Sequence, residues 1–171
     1  MAGSLVLIDS EIVTSGVSAV PLTGIDSTYN VYKVVVSNLE CDTDVEDVFL
    51  RFTVSGSDDD SSNYDRASKE LKADSSFVDV GGVDSSNIAL GDVGTGTGES
   101  FNAVLYLFNF NNASDYSFCT YETTYITSTP NLRGRQGGVV LTETQATDGV
   151  HFYMSDGNID SGEFKLYGLK K

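Results

Sequence analysis

Apolar and polar side chains alternate with a period of two from one end of this chain to the other. No segment carries the 3.6-residue period of an amphipathic helix. That pattern restricts the chain to strands with one face in a core. The clearest run is 100–110, where Phe101, Ala103, Leu105 and Leu107 share one parity. Residues 116–126 follow, with Phe118, Thr120, Glu122 and Thr124 opposing Cys119, Tyr121, Thr123 and Tyr125. Segment 45–54 sets Val48, Leu50 and Phe52 against Phe49, Arg51 and Thr53. Segment 29–37 is apolar on both parities, with Val31 and Val35 opposite Tyr32, Val34 and Val36, and is therefore expected in the middle of a sheet. Two more alternating runs flank Ser155-Asp-Gly-Asn158, and an Asp-Gly between such runs predicts a terminal β-hairpin.

Shorter strands are expected at 5–8, 12–20, 78–83, 88–90 and 139–142. Pro21 should mark an edge position or a strand end, because it has no N–H for a ladder. Residues 55–63, 91–98, 111–114 and 130–138 have the Gly, Ser, Asn and Asp content of loops. Segment 64–72 is the one ambiguous piece: its Ala67, Lys69, Glu70, Leu71 and Lys72 are a composition that favours a short helix, while neighbouring strands could make it extended. Eight to ten strands without βα alternation predict one all-β domain over 1–171, an antiparallel β-sandwich of jelly-roll type. A chain of 171 residues is long enough to bury a substantial core. Its longest apolar runs, 34–36 and 104–108, are far below membrane-spanning length. The start of the chain has neither a basic n-region nor an apolar h-region, so synthesis as a soluble cytoplasmic protein without membrane insertion is expected.

The net charge of −15 is unevenly placed. Residues 1–129 hold twenty acidic and five basic side chains, while 130–171 hold five of each. The acidic part should repel phosphates, which argues against nucleic acid as a partner. No residue pattern marks a catalytic, cofactor or metal site. His151 is the only histidine and has no nucleophile or orienting carboxylate near it in sequence, so it reads as a packed or surface strand residue. The stretch Ser57-Asp-Asp-Asp-Ser-Ser-Asn-Tyr-Asp65 offers the oxygen ligands that calcium takes but lacks the EF-hand order, and reads as a solvated acidic loop. Gly91 to Gly98 has no Lys-Ser/Thr and no following helix, which excludes a phosphate cradle. Arg133 and Arg135 form a compact basic feature in an expected loop, a solvent-exposed pair that could also dock on an acidic neighbouring copy. Cys41 and Cys119 are too few for a disulfide framework and read as structural thiols. The chain has nine Tyr, nine Phe and no Trp, which weakens a carbohydrate platform.

The two ends carry a family resemblance. The opening from Leu5 to Val36, with Thr28-Tyr29 before a long apolar strand, and the close Gly157-Asn158 … Ser161-Gly162 … Leu166-Tyr-Gly-Leu-Lys170 resemble small all-β virion proteins of tailed bacteriophages. The strand Val48-Phe-Leu-Arg-Phe52 and the long strand ahead of Asn111-Asn112 fit the same pattern. The resemblance implies a non-enzymatic jelly-roll protein on the particle surface, a capsid decoration or a tail or head appendage. It also implies other virion proteins as partners and a homo-oligomer, with a trimer favoured by the analogy. Loop tips 58–63 and 91–98 would face outward. The rival from a different class is a receptor-binding module for host-surface polysaccharide. If 100–110 is the central strand, Leu105→Asp or Leu107→Asp should abolish folding, measured as loss of soluble protein with a cooperative melt.

Overall fold

The computed structural model describes residues 4–128 and 130–170. Among these residues there is no helix, and every strand pairing is antiparallel. The strands are β1 (Leu5–Val13), β2 (Ala19–Thr23), β3 (Val31–Cys41), β4 (Glu46–Val54), β5 (Ser57–Asp58), β6 (Tyr64–Lys72) and β7 (Val78–Ser85). They continue with β8 (Ile88–Val93), β9 (Phe101–Phe108), β10 (Ser117–Tyr125), β11 (Arg133–Leu141), β12 (Thr147–Met154) and β13 (Ile159–Leu169). Eight form a large sheet in the order β1-β13-β3-β9-β10-β11-β6-β7. The small sheet runs β2-β12-β4-β5, with β8 also paired to β4. The two sheets make a β-sandwich.

The pairing is nested. β1 pairs β13 and β3 pairs β9 in the large sheet, while β2 pairs β12 and β4 pairs β8 in the small one. A ribbon of first-with-last pairs is thus rolled so that successive pairs fall in alternate sheets. The insertions β6–β7 and β10–β11 then join one another through β11 and β6, widening the large sheet by four strands.

The core lies between the sheets. Leu105, Leu107, Val34, Phe164 and Leu166 of the large sheet are fully buried, facing Leu50, Phe52, Val150 and Phe152 of the small one. Phe152–Phe164 and Phe52–Tyr64 bring rings from the two sheets to centroid separations of 5.4 Å each. Such pairs are worth about 0.5–1.5 kcal/mol beyond the area they bury. The expected placement of β3 between two neighbours holds, and the shared parity of Phe101, Ala103, Leu105 and Leu107 is the inward one of β9; in β10 it is Cys119, Tyr121, Thr123 and Tyr125 that turn inward. Pro21 sits on β2, an edge strand.

Three expectations are corrected. Segment 64–72 is the strand β6, not a helix, because pairing to β11 on one side and β7 on the other outweighs its helical composition. The expected loop 130–138 becomes strand at Arg133. Its Gly137 is there because a Cβ would press on Ala67 O and Ser68 of β6. Third, the terminal turn joins no hairpin: β12 lies in the small sheet and β13 in the large one.

The Asp156-Gly157 turn therefore crosses between sheets. Gly157 has φ +74°, and any Cβ there would strike Thr43 and Asp42. Asp42 in turn accepts hydrogen bonds from Asn158 N (2.7 Å) and Asn158 Nδ2 (2.8 Å), clasping the crossing to the loop after β3. The backbone bond from Asn158 holds the Asp42 carboxyl below its ordinary range. A depressed folded-state value stabilises above the unfolded value and fades as pH falls through the folded one. Asp42→Asn should lower the melting temperature at neutral pH, and the deficit should shrink towards zero on acidification, measured by thermal melts across the acid range.

Candidate functional site: the outer face of the large sheet

The two outward faces of the sandwich differ in kind. Among the described residues twelve large apolar side chains are exposed, and six of them lie on the outward parity of large-sheet strands: Leu5, Leu7, Ile12, Val83, Tyr106 and Phe118; Val6 and Val78 are on the other parity of the same strands. None lies on a small-sheet strand. Register builds rows across the large sheet. One row runs Val31, Phe108, Phe118, Val140 over β3, β9, β10 and β11. The next runs Leu7, Tyr167, Lys33, Tyr106, Thr120, Gly138, Ala67, Gly81 across all eight strands. Its glycines leave shallow ground, and depressions of about 400 and 560 Å³ open beside Tyr106 and between Phe118, Val140 and Val83. Contiguous exposed apolar patches are a mark of interaction surfaces.

Charges on this face are mostly matched in place. Lys165 Nζ is 2.6 Å from Glu163, Lys69 meets Asp79, and Lys33 lies over the Tyr106 ring at 5.7 Å. Gln136 donates to Glu122 at 2.7 Å.

The small sheet's outer face sets polar side chains around the Phe49–Tyr153 ring pair. His151 does have a carboxylate beside it, contrary to the reading from sequence. Its Nδ1 is 2.5 Å from Asp58 Oδ1, a contact that becomes an ion pair when the imidazole is protonated. Asp58 comes from β5, which folds back on β4, so the acidic stretch is not an outward tip at this residue. Arg51 reaches Asp58 at 3.8 Å and stacks on Tyr153 at 5.0 Å. Its guanidinium covers that ring, which removes it as a stacking platform. Asp59 accepts from Ser61 and Gln145. Among the described residues no group of three or more His, Cys, Asp or Glu converges to hold a metal ion.

Arg133 and Arg135 are not a free basic loop either. They sit on the inner side of β11 at the seam where the four added strands meet β8. Arg135 Nη1 donates to Ala89 O at 3.2 Å and approaches Asp47 at 3.9 Å, while Arg133 Nη1 meets Glu70 at 3.3 Å. Arg66 Nη1 also reaches Ala89 O at 3.5 Å. Thr123 Oγ1 donates to Leu90 O at 3.1 Å and accepts from Arg135 N at 2.9 Å. Partial burial pushes the Asp47 carboxyl up against the opposing pull of Arg135. The start of the expected 91–98 loop belongs to this seam as well, since Gly91 to Val93 are strand and mostly buried. Cys41 and Cys119 are buried free thiols, and burial pushes Cys41 up to about 11 and Cys119 higher still. Both are chemically quiet, in line with a structural role.

Sequence reading missed the apolar outer face, although its signal was present. The second parity of β3 and β9, Val31, Val35, Val104 and Tyr106, is as apolar as the first. No family model matches this chain, and neither a curated protein nor a solved structure is significantly similar to it.

The seam makes a prediction of its own. Thr123→Val keeps the shape but strands Leu90 O and Arg135 N without their partner. It should cost about 1–3 kcal/mol, read as a lower urea midpoint at unchanged m.

Proposed function

We propose that this chain is a non-enzymatic structural protein of a tailed-phage virion, exposed on the particle as a capsid decoration or as part of a tail or head appendage. The observation that carries the reading is the apolar outer face of the large sheet: among the described residues six exposed large apolar side chains lie on its outward parity and none on a small-sheet strand. A face of that kind is built to be covered by another protein. The nested strand order supports an elaborated jelly roll. The pairs β1/β13, β2/β12, β3/β9 and β4/β8 alternate between sheets as in a double Greek key, with β5–β7 and β10–β11 as insertions. The phage assignment comes from the resemblance at the two ends and in the middle strands. The arginines contribute to the sandwich itself: Arg51, Arg66 and Arg135 donate to Ser86 and Ala89 carbonyls, while Arg133 pairs with Glu70.

The rival, recognition of host-surface polysaccharide, draws on the Tyr106 and Phe118 rings, 37% and 42% exposed on the same face. Both readings are tested on particles of the phage that encodes the chain. Quantitative mass spectrometry of purified virions should find it, and gold-labelled antibody should mark the capsid or tail surface. Absence from the particle would overturn the proposal. Selective binding on a host-glycan array that Tyr106→Ala abolishes would favour the rival.

A further inference from the structure

We propose that the outer face of the large sheet is covered by the same face of a second copy of this chain, related by a two-fold axis. The inference rests on reading that face as an assembly surface. It does not depend on which particle holds the protein.

Distribution is the first argument for a second copy. Six of the twelve exposed large apolar side chains among the described residues sit on the outward parity of this one sheet, and the small sheet's strands hold none. The surface that matches the face in apolar character is the face itself. An isologous contact, in which both copies use one patch, sets apolar on apolar throughout.

The second argument is charge. Two chains of −15 repel one another over most of their surfaces. On this face the opposite charges stand together: Lys165 with Glu163 and Lys69 with Asp79. It is where a second acidic copy can approach at least electrostatic cost.

Area is the third. Eight strands spaced at ~4.8 Å, over about seven residues at ~3.3 Å each, present roughly 900 Å². A stable interface buries about 800 Å² on each partner. Sheets pack face to face through interdigitating side chains. Phe118 and Tyr106 stand up from this face beside the low ground of Gly138 and Ala67, which gives the relief such interdigitation uses.

The test is the solution mass of the full chain, by light scattering and sedimentation equilibrium over a wide concentration range. The expected result is twice the chain mass. Phe118→Asp and Tyr106→Asp should each weaken association at least about tenfold, as truncation at an interface centre does. Val45→Asp, an equally exposed side chain in the turn after β3, should leave association unchanged. Circular dichroism establishes that each variant is folded, and Thr120→Glu, an exposed position in the same row, replaces any that is not. A monomer at all concentrations, a trimer, or a dimer that Phe118→Asp and Thr120→Glu leave intact would overturn the two-fold contact. A monomer found on virions would remove this inference and leave the virion reading standing. A dimer absent from virions would do the reverse.

Discussion

A ribbon rolled into two sheets leaves the smaller one with an unpaired flank, and in this protein that flank is β8. A bare strand edge beside a core would leave backbone groups without partners, at a cost comparable to a lost hydrogen bond each. The large sheet supplies the partners as side chains. Thr123 reaches Leu90 O, Arg135 and Arg66 reach Ala89 O, and Cys41 Sγ reaches Val93 O. The four added strands are therefore more than a widening of the sheet, since β6, β10 and β11 carry the donors that close the sandwich. Arginine suits this work because its guanidinium spans the gap and keeps further donors for Glu70 or Asp47.

The two outward faces of the sandwich differ as well. A sheet covered on one face by a partner sheet would ordinarily show water a polar second face. The small sheet does so with Arg51, His151 and Asp58. The large sheet instead carries Val31, Phe108, Phe118 and Val140 in one continuous row. An unpartnered row of that length is the feature on which the proposed assembly rests.

Much of this was legible in the sequence where one residue's neighbours decide its side. The parity of Phe101, Ala103, Leu105 and Leu107, the central place of β3 and the edge place of Pro21 all follow from period two and from proline's missing donor. The terminal turn shows the limit. Asp156-Gly157 reports a sharp reversal, which is present, but local signals say nothing of which sheet receives the next strand. Segment 64–72 fails for a related reason, because its extended form is held by β11, some seventy residues later in the chain. Two-sided apolarity in β3 and β9 was read as position within a sheet. It also gives the sheet an apolar outer side, and one sequence does not separate those meanings. His151 acquired a carboxylate partner for the same reason, since Asp58 reaches it only through the β4–β5 reversal and the β4–β12 pairing.

First-with-last pairing also sets a timetable for synthesis. β1 finds its only sheet partner in β13, so Leu5, Leu7 and Ile12 leave the ribosome long before anything exists to pair with their strand. At 5–20 residues per second the wait is roughly 10–30 s. During it an apolar strand with both edges open is the most vulnerable part of the nascent chain. Asp9, whose carboxylate accepts from Thr23 N of β2, and the register shift between Leu7 and Asp9 are devices that discourage a stray strand from pairing there. The strand that opens the chain is thus shaped for the interval before the native sheet can form, as well as for its place within it.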